Sequence, residues 1–379
     1  MFTETKKFCD ALVAGGVPGL DIAVCQKGKP IFRYQSGYRD LENKIKMDGK
    51  ERYNIYSCSK PITCVAAMQL WEKGMFSLED DLAKYMPEFS QMTVKTEGGI
   101  RPAKKQIKIR HLFEMTAGFA YDLVSDQLLA CREETAGRCQ TREVMKYLAK
   151  EPLGFEPGDH WSYSLCHDVL AALVEVLSGE SFQDYVKTHI FQVAGMQDST
   201  FMLPPEELET VTPQYRFADG KVENIGKEIF QFKIGSQYAS GGAGCISTVD
   251  DYMKFAEALR LGRLIKPQTL SLMITPRLTP EQIETFWQKD NHTYGLGMRC
   301  PKGDPRYEDF GWGGAAGAFL AIDLKRELSL YMGMHILSSP VGALRPYVYR
   351  FIRAELENPA AVADIYAELK DKKLMSVLY

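Results

Sequence analysis

The rhythm of apolar and polar positions changes twice along the 379-residue chain. Residues 3–14 have the spacing of an amphipathic helix, ended by Gly15, Gly16 and Pro18. Two strand-like runs follow, 19–25 and 30–37, and Gln26-Lys27-Gly28-Lys29 between them has the composition of a hairpin turn. A helix is expected from about Ser57 to Lys73-Gly74. From Leu78 to about Tyr238 helical patterns and long loops take over. The pattern there predicts a short helix over 110–118 ending at glycine, another over 141–150, a buried apolar helix over 168–178 stopped by Gly179, and a further one over 182–193. Sheet character returns after Gly241-Gly242-Ala243-Gly244. Helices are then expected over 249–260 and 267–275, strands over 293–298, 317–323 and 328–335, and helices over 345–357 and 360–370.

A hairpin near each end of the chain can share one antiparallel sheet. The pattern therefore predicts an α/β (α+β) fold. Residues 1–77 and 239–379 would form a discontinuous domain, an antiparallel sheet flanked by helices. Residues 78–238 would form a mostly helical domain inserted into it. No internal repeat or low-complexity segment interrupts this reading.

Composition narrows the function classes. Hydrophobic residues are 45% and charged residues 25%, so a sizeable core can be buried. Lys+Arg number 46 against Asp+Glu 49, a formal charge of −3, which gives no reason to expect a nucleic-acid partner. Short basic runs, at Lys104-Lys105 and at Lys370-Asp371-Lys372-Lys373, read as solvated faces. Nine cysteines, an odd number with no Cys-x-x-Cys pair, sit mostly in apolar runs and read as reduced thiols of a cytoplasmic protein. The first ten residues carry charges of both signs and lack the apolar core of a secretory signal. No run approaches the ~18 apolar residues of a membrane span. Neither membrane nor nucleic acid is expected as a partner, and no oligomeric state follows from the chain.

One stretch carries candidate chemistry of its own. In Tyr53-Asn54-Ile55-Tyr56-Ser57-Cys58-Ser59-Lys60, an aromatic run ends at Ser57 and a helix-like run follows. If the helix begins at or just after Ser57, residues 57 and 60 share one face. A serine is a poor nucleophile until a base takes its proton; a desolvated lysine can be that base, and a helix N-terminus favours the deprotonated oxygen. The same four residues also fit a plain helix cap followed by a solvated lysine.

Other motifs are weaker. Gly-x-Ser-x-Gly is absent, which argues against a nucleophile elbow. Gly311-Trp312-Gly313-Gly314-Ala315-Ala316 fits a loose dinucleotide pattern, but strand-like residues follow it where a helix is required. The six histidines show no metal-ligand spacing, so no metal and no cofactor is expected. Trp161-Ser162-Tyr163-Ser164-Leu165 lies between a turn signal and the buried 168–178 helix. A tyrosine beside an ammonium can relay a proton. The glycine-rich turn 311–317 can bring a backbone N–H up to a developing oxyanion.

Taken in order, these pieces resemble the serine β-lactamase and penicillin-binding-protein-like hydrolases, closest to the class C β-lactamase-related esterases and D,D-peptidases. The resemblance spans about residues 16–350. Its motifs are Ser57-Cys58-Ser59-Lys60, Tyr163-Ser164 and Trp312-Gly313-Gly314. Three stretches support it: 109–118, Ala194 to Thr200, and Ser240 to Thr248. The resemblance implies a β-lactamase/transpeptidase-like fold and acyl transfer without a cofactor. It further implies Ser57 as nucleophile, Lys60 and Tyr163 as the proton-transfer pair, and the N–H groups of Ser57 and Ala315 as the oxyanion hole. Two departures shape the expected substrate. Leu165 stands where the family's Tyr-x-Asn motif has Asn, and Trp312 stands where Lys or His commonly begins the third motif. Both favour a small, fairly apolar ester or amide, above all an ester, in a pocket of Tyr121, Trp312, Gly313 and Gly314. β-Lactamase, D,D-carboxypeptidase or D-aminopeptidase action is the alternative, and a catalytically silent ligand- or peptide-binding protein is the alternative of another class.

Overall fold

A computed structural model describes residues 1–227 and 234–371. Its main sheet has five strands, all neighbours antiparallel, in the order Phe319–Asp323, Leu328–Met334, Gly19–Gln26, Lys29–Asp40, Ile45–Lys46. The two terminal hairpins thus meet in one sheet, as expected. Register is set by the pleat: Leu20 pairs with Met334, Ile22 with Met332 and Val24 with Leu330, and all six point to one face. That face packs on the Thr3–Ala14 and Tyr347–Glu357 helices through Phe8, Leu12, Phe351 and Ile352. Each such side chain, fully buried, stabilises the fold by roughly 1.5–3 kcal/mol. The opposite face meets the Val249–Arg260 helix, where Tyr252 stacks on Tyr331 at 4.0 Å and Ser329 donates to Glu257.

The Ser59–Glu72 helix is apolar nearly all round and is buried on every side over 59–68. It packs along the Cys166–Ser178 helix, which ends at Gly179 in the left-handed region. One apolar cluster runs from Leu70 and Leu170 through Tyr294 to Tyr331, joining the middle segment to the sheet. Among the described residues no helix is long and apolar enough to cross a membrane. All nine cysteines are free, eight of them buried.

Several expectations need correction. The run 293–298 is not one strand: His292–Tyr294 turns at Gly297 and returns as Arg299–Pro301. The helix expected over 110–118 covers only Ile109–Phe113, because Met115 adopts φ +58° and breaks it. The middle segment also holds two hairpins, Thr93–Thr96 with Gly99–Pro102 and Tyr215–Ala218 with Lys221–Asn224. The helix over 182–193 includes a wide turn, Lys187–Phe191. Of the basic run at 370–373, Lys372 and Lys373 lie outside the described residues.

Candidate active site

Ser57 sits in a tight turn, Tyr56–Cys58, immediately before the Ser59–Glu72 helix. The turn is strained, since Tyr56 holds φ +47°, a region bulky residues rarely enter. Neighbouring bonds enforce it. Ile55 N–H donates to Cys245 O at 3.1 Å, Ser59 Oγ donates to Tyr56 O at 2.6 Å, and Tyr252 Oη donates to Cys58 O at 2.6 Å. Such strain, of order 1–3 kcal/mol, persists only where the surroundings over-determine it. Its effect is to present Ser57 Oγ at the rim while leaving Ser57 8% exposed.

Lys60, one turn on, is fully buried. Its Nζ donates to Gly242 O at 2.8 Å and lies 3.5 Å from Ser57 Oγ. Tyr163 Oη donates to Ser57 Oγ in a short hydrogen bond. Lys60 Nζ stands 4.4 Å from the Tyr163 ring centre and 5.4 Å from that of Tyr121. Lys60 Nζ therefore meets the tyrosine at its ring face, and the hydrogen-bond path between Lys60 and the Tyr163 hydroxyl runs through Ser57 Oγ.

Gly242 has a steric reason to be glycine. A Cβ there would lie 2.4 Å from Asp168 Oδ2 and 3.4 Å from Lys60 Nζ. Asp168 is 1% exposed at the start of the Cys166–Ser178 helix. Its Oδ1 accepts from Tyr238 Oη at 2.7 Å and Ser240 Oγ at 2.6 Å, while its buried Oδ2 has no hydrogen-bond partner among the described residues. Burial and the nearby Tyr163 and Asp168 hold the Tyr121 hydroxyl well above its usual pKa, in the neutral form.

The third motif closes the other side. A Cβ on Gly314 would come within 2.3 Å of Ile55 O, so the 311–317 turn lies directly on the serine loop. Ala316 packs on Tyr56. Ala315 is exposed, and among the described residues neither its N–H nor that of Ser57 has a recorded backbone acceptor. Two unspent N–H groups beside the serine can bind an oxyanion. Trp312 is 2% exposed and stacks 6.0 Å from Tyr163; Tyr121 stacks on Tyr163 at 5.3 Å. Both expected wall residues are therefore at the site, with Trp312 buried behind Tyr163. Leu165 is buried in the core at the N-terminus of the Cys166–Ser178 helix.

Four residues at this site were not singled out from the sequence. Trp287, 57% exposed, lies 4.8 Å from the Tyr163 ring and 4.9 Å from Trp161. It shares a cavity of about 440 Å³ with Gly313 and Arg345. Gly242, Asp168 and Arg345 reach the site only through tertiary packing. The one available signal was the glycine run 241–244, which marks close backbone approach.

The Beta-lactamase family model matches residues 5–353. The chain belongs to the Beta-lactamase family. It is a serine hydrolase of that family, with esterase and acyltransferase relatives. Esterase EstB of Burkholderia gladioli is 28% identical over 289 residues, 70% of this chain and 71% of EstB. Monacolin J acid methylbutanoyltransferase of Aspergillus terreus is 30% identical over 277 residues, 69% of this chain and 65% of that protein. The solved structure of EstCE1, described as a hydrolase with promiscuous acyltransferase activity, superposes with a TM-score of 0.76. That match covers 92% of this chain and 98% of EstCE1 at 23% identity, a likeness of fold.

Proposed function

We propose that this Beta-lactamase family member is an esterase acting on small, fairly apolar esters through an acyl-enzyme. The observation that carries the reading is the convergence on Ser57 Oγ, which accepts from Tyr163 and lies 3.5 Å from Lys60 Nζ. In the proposed reaction Ser57 Oγ attacks the ester carbonyl carbon and its proton passes to the Lys60–Tyr163 pair. In the proposed resting state that pair holds one mobile proton, as lysine amine with phenol or as ammonium with phenolate. The N–H groups of Ser57 and Ala315 bind the tetrahedral oxyanion. Collapse expels the alkoxide, which takes the proton from the pair, and leaves the acyl group on Ser57. Water then attacks with the same pair as base, and the acid leaves.

The substrate reading rests on what surrounds these atoms. Trp161, Tyr163, Trp287, Trp312 and Tyr121 form an aromatic wall, with Gly313 and Gly314 supplying backbone at its foot. An indole in place of Lys or His offers no ion pair to a lactam carboxylate. A cytoplasmic setting fits nine free thiols. The test is a panel of p-nitrophenyl acetate and butyrate, nitrocefin and a D-alanine amide, run on wild type and on Ser57→Ala. The neutral esters should be turned over by wild type and not by Ser57→Ala. Faster turnover of nitrocefin or the amide than of the esters would replace the esterase reading with the lactamase or peptidase one.

A further inference from the structure

Arg345 takes no part in the steps above, yet it touches their machinery. It precedes the Tyr347–Glu357 helix and is half-buried. Its recorded hydrogen bonds all end on carbonyl oxygens: Nη1 donates to Gly314 O at 2.7 Å and to Ala318 O at 3.2 Å, and Nε donates to Gly342 O at 3.0 Å. Among the described residues it makes no ion pair to a carboxylate. The turn that Arg345 holds is already closed without it. Gly314 N–H donates to Ala318 O at 2.7 Å, and Gly317 N–H donates to Gly314 O at 3.1 Å. A guanidinium is thus placed where a carboxylate partner is missing and no turn bond is lacking.

The carbonyl of Gly314 and the N–H of Ala315 are the two ends of one planar, conjugated peptide group. A cation bonded to the oxygen end withdraws electron density through the group and leaves the N–H end more positive. We propose that Arg345 is a positioning residue of the reaction: through the Gly314 carbonyl it orients and polarises the Ala315 N–H as an oxyanion donor. This rests on the reading of Ala315 as part of the oxyanion hole. The charge acts where negative charge develops, so its benefit appears in the transition state more than in the bound ester.

The size follows from two magnitudes. One oxyanion donor contributes roughly a hundred- to a thousand-fold in kcat. Polarisation along a hydrogen-bonded chain strengthens a bond by about 10–30%. A tenth to three-tenths of two to three decades is about 2- to 8-fold.

The experiment compares wild type, Arg345→Gln, Arg345→Lys and Ser57→Ala on p-nitrophenyl butyrate, a neutral ester. It reads kcat, KM, thermal midpoint, and affinity for a trifluoromethyl ketone, whose adduct carries the oxyanion. Arg345→Gln should lower kcat about 2- to 8-fold with KM little changed, and weaken the ketone by the same factor. Arg345→Lys, which keeps the charge, should recover most of the loss. Unchanged kcat and ketone affinity in Arg345→Gln, with a normal thermal midpoint, would overturn the proposal. So would a loss in Gln and Lys alike that tracks only the thermal midpoint, since that is a structural role. A loss confined to KM, with kcat and ketone affinity unchanged, would overturn the proposal and make Arg345 a substrate anchor instead. Turnover surviving in Ser57→Ala would overturn the underlying site reading, whereas an inert Ser57→Ala beside an unaffected Arg345→Gln removes only the role of Arg345.

Discussion

Replacing Gly242 by alanine tests how tightly the lysine is held. The new Cβ would stand 2.4 Å from Asp168 Oδ2 and 3.4 Å from Lys60 Nζ. An ordinary contact requires a retreat of about 1 Å. Asp168 cannot give way easily, because it is 1% exposed and its Oδ1 is anchored by Tyr238 and Ser240. The backbone at 242 must therefore move, and it carries the carbonyl that receives Lys60 Nζ at 2.8 Å. A displacement of about 1 Å in a catalytic group costs on the order of a hundred-fold in rate. Overpacking of this kind costs about 1–3 kcal/mol in stability, which leaves the chain folded. Gly98→Ala is the control: its nearest neighbour, Thr96 Oγ1, would be 4.0 Å away, and both activity and stability should hold. The assay is kcat on p-nitrophenyl butyrate per folded molecule, with folding read by near-ultraviolet circular dichroism. If Gly242→Ala stays folded and keeps kcat within about 3-fold, then Lys60 is not held by this carbonyl in the way the distances indicate.

Two further outcomes follow from other parts of the molecule. His335 is buried, with Nδ1 bonded to Pro213 O at 2.9 Å, and burial pushes its pKa down to about 4. A histidine whose folded pKa is depressed supports the fold above its unfolded value of about 6.5 and loses that support as pH falls to about 4, here about 3 kcal/mol. The urea midpoint of wild type should fall over that window by more than that of His335→Gln; parallel curves would refute the assignment. Trp287→Ala should change stability by less than about 1.5 kcal/mol, because the indole is 57% exposed. It should nonetheless raise KM several-fold for aromatic esters relative to methyl esters, and an equal effect on both would remove Trp287 from the substrate wall.

How much of this was legible in the chain depended on whether the signal was local. The terminal hairpins announced themselves through period-2 apolar runs and the Lys27-Gly28 turn, both residues of which take positive φ. The Ser57-x-x-Lys60 pair is one helical turn, and resemblance supplied Tyr163 and the 312–315 turn. What stayed hidden was short or tertiary. The hairpin strands at 93–102 and 215–224 are four residues each, too short to show a period. The Asp126–Glu134 helix buries only Leu128 and Cys131, so it has almost no apolar stripe. Asp168, Gly242, Trp287 and Arg345 lie on four separate segments, and only the folded chain brings them to Ser57.

The identity of the nucleophile is the claim on which the rest depends. Treating the intact protein with a fluorophosphonate and reading the mass tests it directly. A single adduct, mapped by peptide sequencing to Ser57 and absent in Ser57→Ala, is the result predicted here. An adduct on another residue, or none while neutral esters are still hydrolysed, would contradict it.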